Sequence, residues 1–146
     1  MTLNLLKLCV GVEKVDQLAD WQTGWRKKGG MDGKGRVWHT TRMTPRRRDE
    51  LLNGGSLYWV VKGQILVRQI LDDVEPFTDD EGISRCHLVL NKQLMLVEPR
   101  RHRAFQGWRY LKGEEAPADI GKFGSKLAKG EMPPHLRAEL RELGLL

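Results

Sequence analysis

Residues 56–71 read SLYWVVKGQILVRQIL, and this stretch decides the fold. β-Branched and aromatic residues fill positions 56–62, a composition that is typical of a β-strand. Lys62-Gly63 is a tight-turn signal, and the apolar residues of 64–71 supply a second strand. The sequence therefore predicts a β-hairpin at the centre of the chain.

Side-chain alternation assigns the two aromatic residues of this hairpin to opposite faces. Trp59 shares a face with Leu57 and Val61, which predicts that its ring lies in the core. Tyr58 points the other way. Its side chain is therefore a candidate for a binding role.

The rest of the chain predicts more strands and a few helices around this hairpin. Further strands are predicted over residues 3–10, 36–43, 85–90, 94–97 and 105–111. Apolar residues at helical spacing predict an amphipathic helix over 15–25, with basic residues 26–28 at its end. A short helix is expected after Thr44 and Pro45, with Gly54-Gly55 as its exit. These elements predict an α+β fold, a small mixed β-barrel of six or seven strands with peripheral helices.

The length of 146 residues predicts a single domain, residues 1–146. Within it, residues 113–146 are predicted to form a helical C-terminal extension packed on or beside the barrel, because prolines punctuate two short helical runs. The second run places Leu136, Leu140 and Leu143 on one helix face. This leucine face is a candidate protein-interaction surface.

The composition excludes several classes of protein. Hydrophobic residues make up 40% of the chain and charged residues 30%, close to the average of globular domains and far from disordered or collagen-like chains. No apolar stretch approaches the roughly 18 residues of a membrane-spanning helix. Residues 1–10 lack the regions of a secretion signal, and two cysteines make no disulfide framework. We therefore expect a cytoplasmic protein.

The basic residues are concentrated in two segments. Residues 26–48 hold nine basic residues and one acid, a charge of +8, and residues 100–112 hold five basic residues and no acid, a charge of +5. Between them, residues 72–81 hold six acids and are expected to form a solvated turn. Such a polarised distribution favours a partner that carries phosphate groups.

Aromatic residues interleave with these cations, a combination that stacks on a base while holding the phosphates. The leading hypothesis is a module that binds RNA or a modified nucleotide in a cleft between residues 36–48 and 100–112, without a cofactor. The candidate binding residues are Arg36, Trp38, Arg42, Arg46, Arg47, Arg48, Tyr58, Arg100, Arg101, Arg103, Trp108, Arg109 and Tyr110. Arg46 to Arg48 are expected in the first turn of the short helix, where cations oppose the helix dipole and therefore indicate a binding role.

The alternative is a small enzyme that acts on a nucleotide or acyl substrate, with His39 or His87 as general base. No complete catalytic motif supports it, since Ser56 lies outside a Gly-x-Ser-x-Gly pattern. The cysteines and histidines lack the spacing of a zinc site, so no metal is predicted. A histidine and a carboxylate that converge in a deep pocket would favour the enzyme. Basic segments that converge around an exposed aromatic side chain would favour the binding module.

Three stretches resemble a known bacterial family: residues 3–11 (LNLLKLCVG), 51–60 (LLNGGSLYWV) and 103–111 (RAFQGWRYL). This family, mainly alphaproteobacterial, is known as the domain of unknown function number fourteen eighty-nine. The resemblance covers essentially the whole chain, including the tail at 133–140 (PPHLRAEL). The order of a short helix ending in Gly-Gly, a hairpin, an acidic loop and a late Gly-Trp strand is also similar to PUA-like barrels such as the ASCH and EVE domains. That more distant similarity implies a small barrel whose ligand is RNA or a modified base.

Overall fold

A computed structural model describes residues 2–124, 138 and 140–143. Its elements in chain order are β1 (Leu3–Leu8), α1 (Val15–Lys27), β2 (Val37–Thr41), α2 (Arg48–Leu51), β3 (Ser56–Val61), β4 (Gln64–Thr78), β5 (Ser84–Leu90), β6 (Met95–Arg101), β7 (Trp108–Lys112), a 3₁₀ turn (Gly113–Glu115) and β8 (Asp119–Lys122). Residues 138 and 140–142 are helical. The predicted hairpin is confirmed as β3 and β4, with Lys62 and Gly63 at positive φ in its turn. Among the described residues, no helix has the length and hydropathy that a membrane crossing requires.

The strands form one mixed sheet whose main order is β2-β5-β4-β3-β1-β7. Only the pairing of β1 with β3 is parallel among the strand pairs of the described residues. The 15 residues of β4 organise the sheet, because β3 pairs along one edge of its first half. On the other edge, β6 pairs with residues 64–68 and β5 with residues 71–78. β8 adds to the sheet beyond β6.

The sheet does not close, which corrects the prediction of a small barrel with six or seven strands. It has eight strands, and in the described part of the chain its end strands β2 and β7 make no pairing with each other. The eighth strand, β8, has the sequence Asp-Ile-Gly-Lys over four residues, too short to show an alternating pattern. The fold class α+β is confirmed.

Two further predicted boundaries differ from the structure. α2 is a single turn that begins at Arg48, so Arg46 and Arg47 precede it rather than lie in its first turn. Residues 113–124, expected to be helical, contain the 3₁₀ turn and β8. Leu140 is buried and Leu143 packs against the core, so these two leucines contact the protein itself, while Leu136 lies outside the described residues.

Apolar side chains cover both faces of the sheet. On one face Trp59 packs with Val15 and Leu18 of α1 in the main core, and its exposure of 2% confirms the predicted core position. On the other face Tyr58 and Val60 belong to a second, smaller core, which Phe105 and Ala116 cover. Tyr58, predicted to be available for binding, is 6% exposed because these loop residues lie over it.

A buried hydrogen-bond network joins α1 to the sheet. The side-chain amides of Gln22 and Gln69 each donate to the other, at 2.8 and 2.7 Å. Trp59 Nε1 donates to Gln69 Oε1 at 2.9 Å, and Gln69 Nε2 also donates to the Asn91 carbonyl at 2.8 Å. Because every buried polar group finds a partner here, the network fixes the position of the helix.

Candidate nucleic-acid interface

The two basic segments meet at the β7 end of the sheet. Trp108 Nε1 donates a hydrogen bond to the Met43 carbonyl at 2.6 Å. The Tyr110 hydroxyl accepts from the backbone N–H groups of Arg46 and Arg47, at 3.0 and 3.1 Å. The two aromatic rings contact each other edge to face, with centroids 4.8 Å apart. Trp108 and Tyr110 therefore hold the segment that follows β2 against β7, and their polar atoms serve this contact.

Only part of the acidic stretch 72–81 forms the predicted solvated turn. Asp79, Asp80 and Glu81 lie at the turn between β4 and β5, whereas Asp72, Asp73 and Glu75 lie on β4, which runs through to Thr78. This strand brings acids to the first basic segment. Arg36 forms ion pairs with Glu75 at 2.8 Å and with Asp32 at 2.7 Å, and Arg48 pairs with Asp73 at 2.5 Å.

These ion pairs divide the predicted arginines into paired and unpaired ones. The hydrogen bonds that Arg36 donates to Glu75 and Asp32 raise the pKa of Arg36 above its ordinary value, so its charge is held inside the protein's own network. Arg47 pairs with Glu50 and lies over the Tyr110 ring. Three of the five arginines in residues 36–48 thus form ion pairs within the protein.

Trp38 lies apart from the other candidate aromatic residues. On the outer face of β2, β5 and β4 its ring contacts His87, with centroids 4.4 Å apart, and His87 stacks on Phe77 at 4.0 Å. The Arg36 guanidinium lies over Trp38 at 5.7 Å. The structure therefore places Arg36 and Trp38 on one surface, and Trp108 with Tyr110 on another.

Six exposed cations that form no ion pair among the described residues lie near the start of β7 and the β3–β4 turn. His102 N–H donates to the Gly63 carbonyl, and Arg101 lies opposite Gln64, so residues 101–103 adjoin the Lys62 turn. Arg42 precedes Met43, which Trp108 contacts. We call the exposed cations at this end the basic surface: Arg42, Arg46, Lys62, Arg101, Arg103 and Arg109.

No acid interrupts the chain segments that build the basic surface. Residues 33–48, 56–71 and 100–112 contain no Asp or Glu. Arg109 lies over the Phe105 ring at 4.9 Å. Arg100, also predicted, instead donates to the Glu115 carbonyl. The cations of the basic surface are exposed and form no ion pair among the described residues, an arrangement that attracts polyanions.

An aromatic cavity of about 200 Å³ opens at the same end of the sheet, between α1 and the strands. Its wall includes Cys9, Trp21, His39 and Trp59, and Val10 lies at its rim. Val10 is 80% exposed and Trp21 42%, so apolar side chains surround the mouth. Cys9 N–H donates to the Val60 carbonyl, two residues before Lys62. The cavity and the basic surface are therefore neighbours.

His39 is the polar group of this cavity. Its ring meets Trp59 edge to face at 5.2 Å, and its Nε2 is buried without a hydrogen-bond partner in the described residues. Burial, reinforced by the nearby Lys7 ammonium, lowers the pKa of His39 to about 4. Burial raises the pKa of the Cys9 thiol to about 11, against the opposing effect of Lys7. Both groups are therefore neutral at pH 7.

The cavity lacks the partners of a catalytic histidine. Among the described residues that line it, none is a carboxylate that could raise the basicity of His39. His87 lies on the outer aromatic stack, where burial lowers its pKa as well. Within the described residues, no three His, Cys, Asp or Glu side chains are grouped to hold a metal ion.

The sequence of this chain matches one known protein family. The chain belongs to the family described as Protein of unknown function (DUF1489). The family model matches residues 5–146, which confirms the family suggested by the sequence. No curated protein and no solved structure matches the chain.

Sequence reasoning missed most of the aromatic cavity. It placed Trp59 in the core and considered His39 only as a catalytic base, and it gave no role to Trp21 or Cys9. One signal was available: Trp21 interrupts the polar side of the amphipathic helix, and an exposed tryptophan there is unusual. No local sequence pattern predicts that α1 packs beside the end of β1.

Proposed function

We propose that this protein binds single-stranded RNA, with phosphates on the basic surface and one unpaired or modified base in the aromatic cavity. The observation that carries the proposal is the meeting of three acid-free basic segments beside a cavity walled by aromatic rings. Phosphates need cations and bases need flat apolar walls. This end of the sheet offers both.

The basic surface fits a flexible phosphate chain. Its cations come from separate elements and form no ion pairs among the described residues, so each is available to a phosphate. Binding of each phosphate releases condensed counterions, which favours association and makes affinity depend on salt. The chain's net charge of +6 adds long-range attraction.

The aromatic cavity fits a neutral, flat ring. The Trp59 and His39 rings stand edge to face, and Trp21 closes one side of the mouth. A base inserted here would bury apolar surface and offer a hydrogen-bond partner to His39 Nε2. The similarity to PUA-like domains in the order of motifs agrees with this ligand, as does the proposed cytoplasmic location.

The basic surface is tested with a triple variant, Arg101→Gln, Arg103→Gln and Lys62→Gln, titrated with fluorescent single-stranded RNA. Each lost phosphate contact removes about 0.7 from the slope of log K against log salt, so we expect the slope to fall by about 2. The matched control removes three charges at the far end of α1: Lys27→Gln, Lys34→Gln and Lys92→Gln. Equal loss of affinity in the two variants would contradict a specific basic surface.

The aromatic cavity is tested by comparing Trp21→Ala with Trp25→Ala. Both tryptophans lie on α1 and are similarly exposed, at 42% and 37%, but only Trp21 lines the cavity. Removing a stacked aromatic ring costs about 1–3 kcal/mol of affinity, so Trp21→Ala should weaken RNA binding by roughly fivefold or more, whereas Trp25→Ala should not. Absence of binding to RNA at low salt would refute the whole proposal.

A further inference from the structure

A second cavity lies on the opposite face of the sheet, near the other ends of β1 and β3. Its volume is about 370 Å³. The start of β1 and of β3, the residue after β7 and the start of β8 build its wall. We call it the polar cavity, because its side chains include Asn4, Ser56, Tyr58, Arg68 and Asp119.

Three of these polar side chains are almost completely buried. The exposures of Asn4, Ser56 and Tyr58 are 3%, 1% and 6%. Asn4 Oδ1 accepts from the Ser56 N–H at 2.9 Å, which leaves the Asn4 amide N–H₂ without an acceptor among the described residues. The Tyr58 hydroxyl also has no partner there. Ser56 Oγ accepts from Arg68 Nη1 at 2.9 Å, and its own hydroxyl proton remains to be donated.

Arg68 is held rigidly beside these donors. Its Nε and Nη2 donate to the two oxygens of Asp119, at 2.8 and 2.7 Å. The two Nη nitrogens each retain a second N–H after these bonds are counted. Among the described residues of the wall, Asp119 is the only carboxylate. Its side chain is 43% exposed, and both its oxygens already accept from Arg68.

Several side-chain donors of the polar cavity therefore have no acceptor among the described residues. They face the solvent of the cavity, so a ligand can accept from them in place of water. Burial raises the pKa of Tyr58, so its hydroxyl keeps its proton and stays a donor. A matching ligand supplies several acceptor oxygens from one side.

We propose that the polar cavity binds a small carboxylate, whose oxygens accept hydrogen bonds from Asn4, Ser56 and Tyr58 beside Arg68. A carboxylate presents two adjacent oxygens with several lone pairs, and hydrogen bonds to an ionised acceptor are about twice as strong as neutral ones. The cavity volume lies in the range of small-molecule sites. This site is independent of RNA binding, because it lies on the other face and at the other end of the strands.

The test is an NMR titration of the full-length ¹⁵N-labelled chain with sodium acetate, with acetamide as the neutral probe of the same shape. Sodium chloride controls for ionic strength. Acetate should shift the amide signals of residues 4, 56 and 58 in a saturable manner. Acetamide should bind at least about tenfold more weakly, because it lacks the charge.

Two variants assign the binding to the polar cavity. Tyr58→Phe removes one hydroxyl and retains the ring, and should weaken acetate binding about tenfold. Tyr110→Phe makes the same change at the only other tyrosine, outside the cavity, and should leave acetate affinity unchanged. Asn4→Asp keeps the acceptor for Ser56 N–H but replaces the amide donors by a negative charge, and should abolish binding.

Three results would overturn the proposal. Shifts that rise linearly with acetate, without saturation, mean that the cavity holds only water. Equal affinity for acetate and acetamide means that charge is not recognised. Unchanged acetate binding in both Tyr58→Phe and Asn4→Asp places the binding elsewhere.

Discussion

Tyr58 and Trp59 are neighbours in β3 and are both buried, yet their polar atoms have opposite surroundings. Trp59 Nε1 donates to Gln69, whose amide is itself held by Gln22 and the Asn91 carbonyl. The Tyr58 hydroxyl has no partner in the described residues and lines a cavity with other unused donors. Polar groups that satisfy one another hold the fold together, whereas polar groups left with unused donors mark a place where a ligand completes them.

The largest effect is expected for Trp59→Ala. Trp59 is the largest of the fully buried side chains, and its removal leaves a cavity and breaks the bond to Gln69. Such truncations cost about 3–5 kcal/mol, a large share of the stability of an ordinary domain. Urea unfolding followed by circular dichroism measures the change. A loss below about 1 kcal/mol would show that the network does not depend on Trp59.

A pH dependence is expected from His39, next to Trp59. Its folded pKa of about 4 lies below its ordinary value of 6.5, so the neutral form favours folding. This contribution is fully present above about pH 6.5 and is lost as pH falls towards 4. At 1.36 kcal/mol per pKa unit, it amounts to about 3 kcal/mol at most.

Unfolding free energies of the wild type and His39→Phe between pH 4 and pH 7 measure this contribution. Below pH 6.5, the unfolding free energy of His39→Phe should fall much less than that of the wild type. Burial also lowers the pKa of His87, so a smaller decrease should remain in the variant. Parallel pH profiles for the two proteins would mean that His39 is hydrated when the chain is folded.

The hydrogen-bond network of Gln22 and Gln69 tests the Trp59 side of the comparison between Tyr58 and Trp59. Gln69→Leu should cost about 1–3 kcal/mol, because it leaves Gln22 Nε2 and Trp59 Nε1 buried without acceptors. The double variant Gln22→Leu and Gln69→Leu removes both amides, and should cost less than the sum of the single variants. Denaturant unfolding of the four proteins measures the coupling. Additive costs would mean that the two amides act separately.

Alternation and turn chemistry were sufficient to predict the central hairpin and the burial of Trp59, because both are set within a few residues of sequence. The distribution of charge along the sequence did not predict that Arg36 and Arg48 form ion pairs. Their partners, Glu75 and Asp73, lie on β4, and no local sequence pattern specifies the register in which β4 pairs with its neighbours. Segment charge therefore overstated how many arginines are unpaired.

The two cavities were beyond sequence reasoning for the same reason. The aromatic cavity joins Cys9 of the β1 end to Trp21 and His39, and the polar cavity joins Asn4 to Arg68 and Asp119. Asn4 reads as an ordinary strand residue and Tyr58 as a candidate for the nucleic-acid interface, and only the parallel pairing of β1 with β3 places them together. Long-range pairing decides such sites, and it leaves no signature at any one position.

The smallest effect on stability is expected for Tyr58→Phe, the counterpart of Trp59→Ala one residue away. The ring packs with Leu6 and Val60 in the second core, and phenylalanine preserves that packing. The hydroxyl makes no hydrogen bond within the described residues, so its removal deletes no protein contact. The hydroxyl faces the polar cavity, and the net change in unfolding free energy should therefore stay within about 0.5 kcal/mol. Urea unfolding in acetate-free buffer measures it. A loss above about 1 kcal/mol would mean that the hydroxyl is satisfied by the protein, and the contrast between the two faces of β3 would disappear.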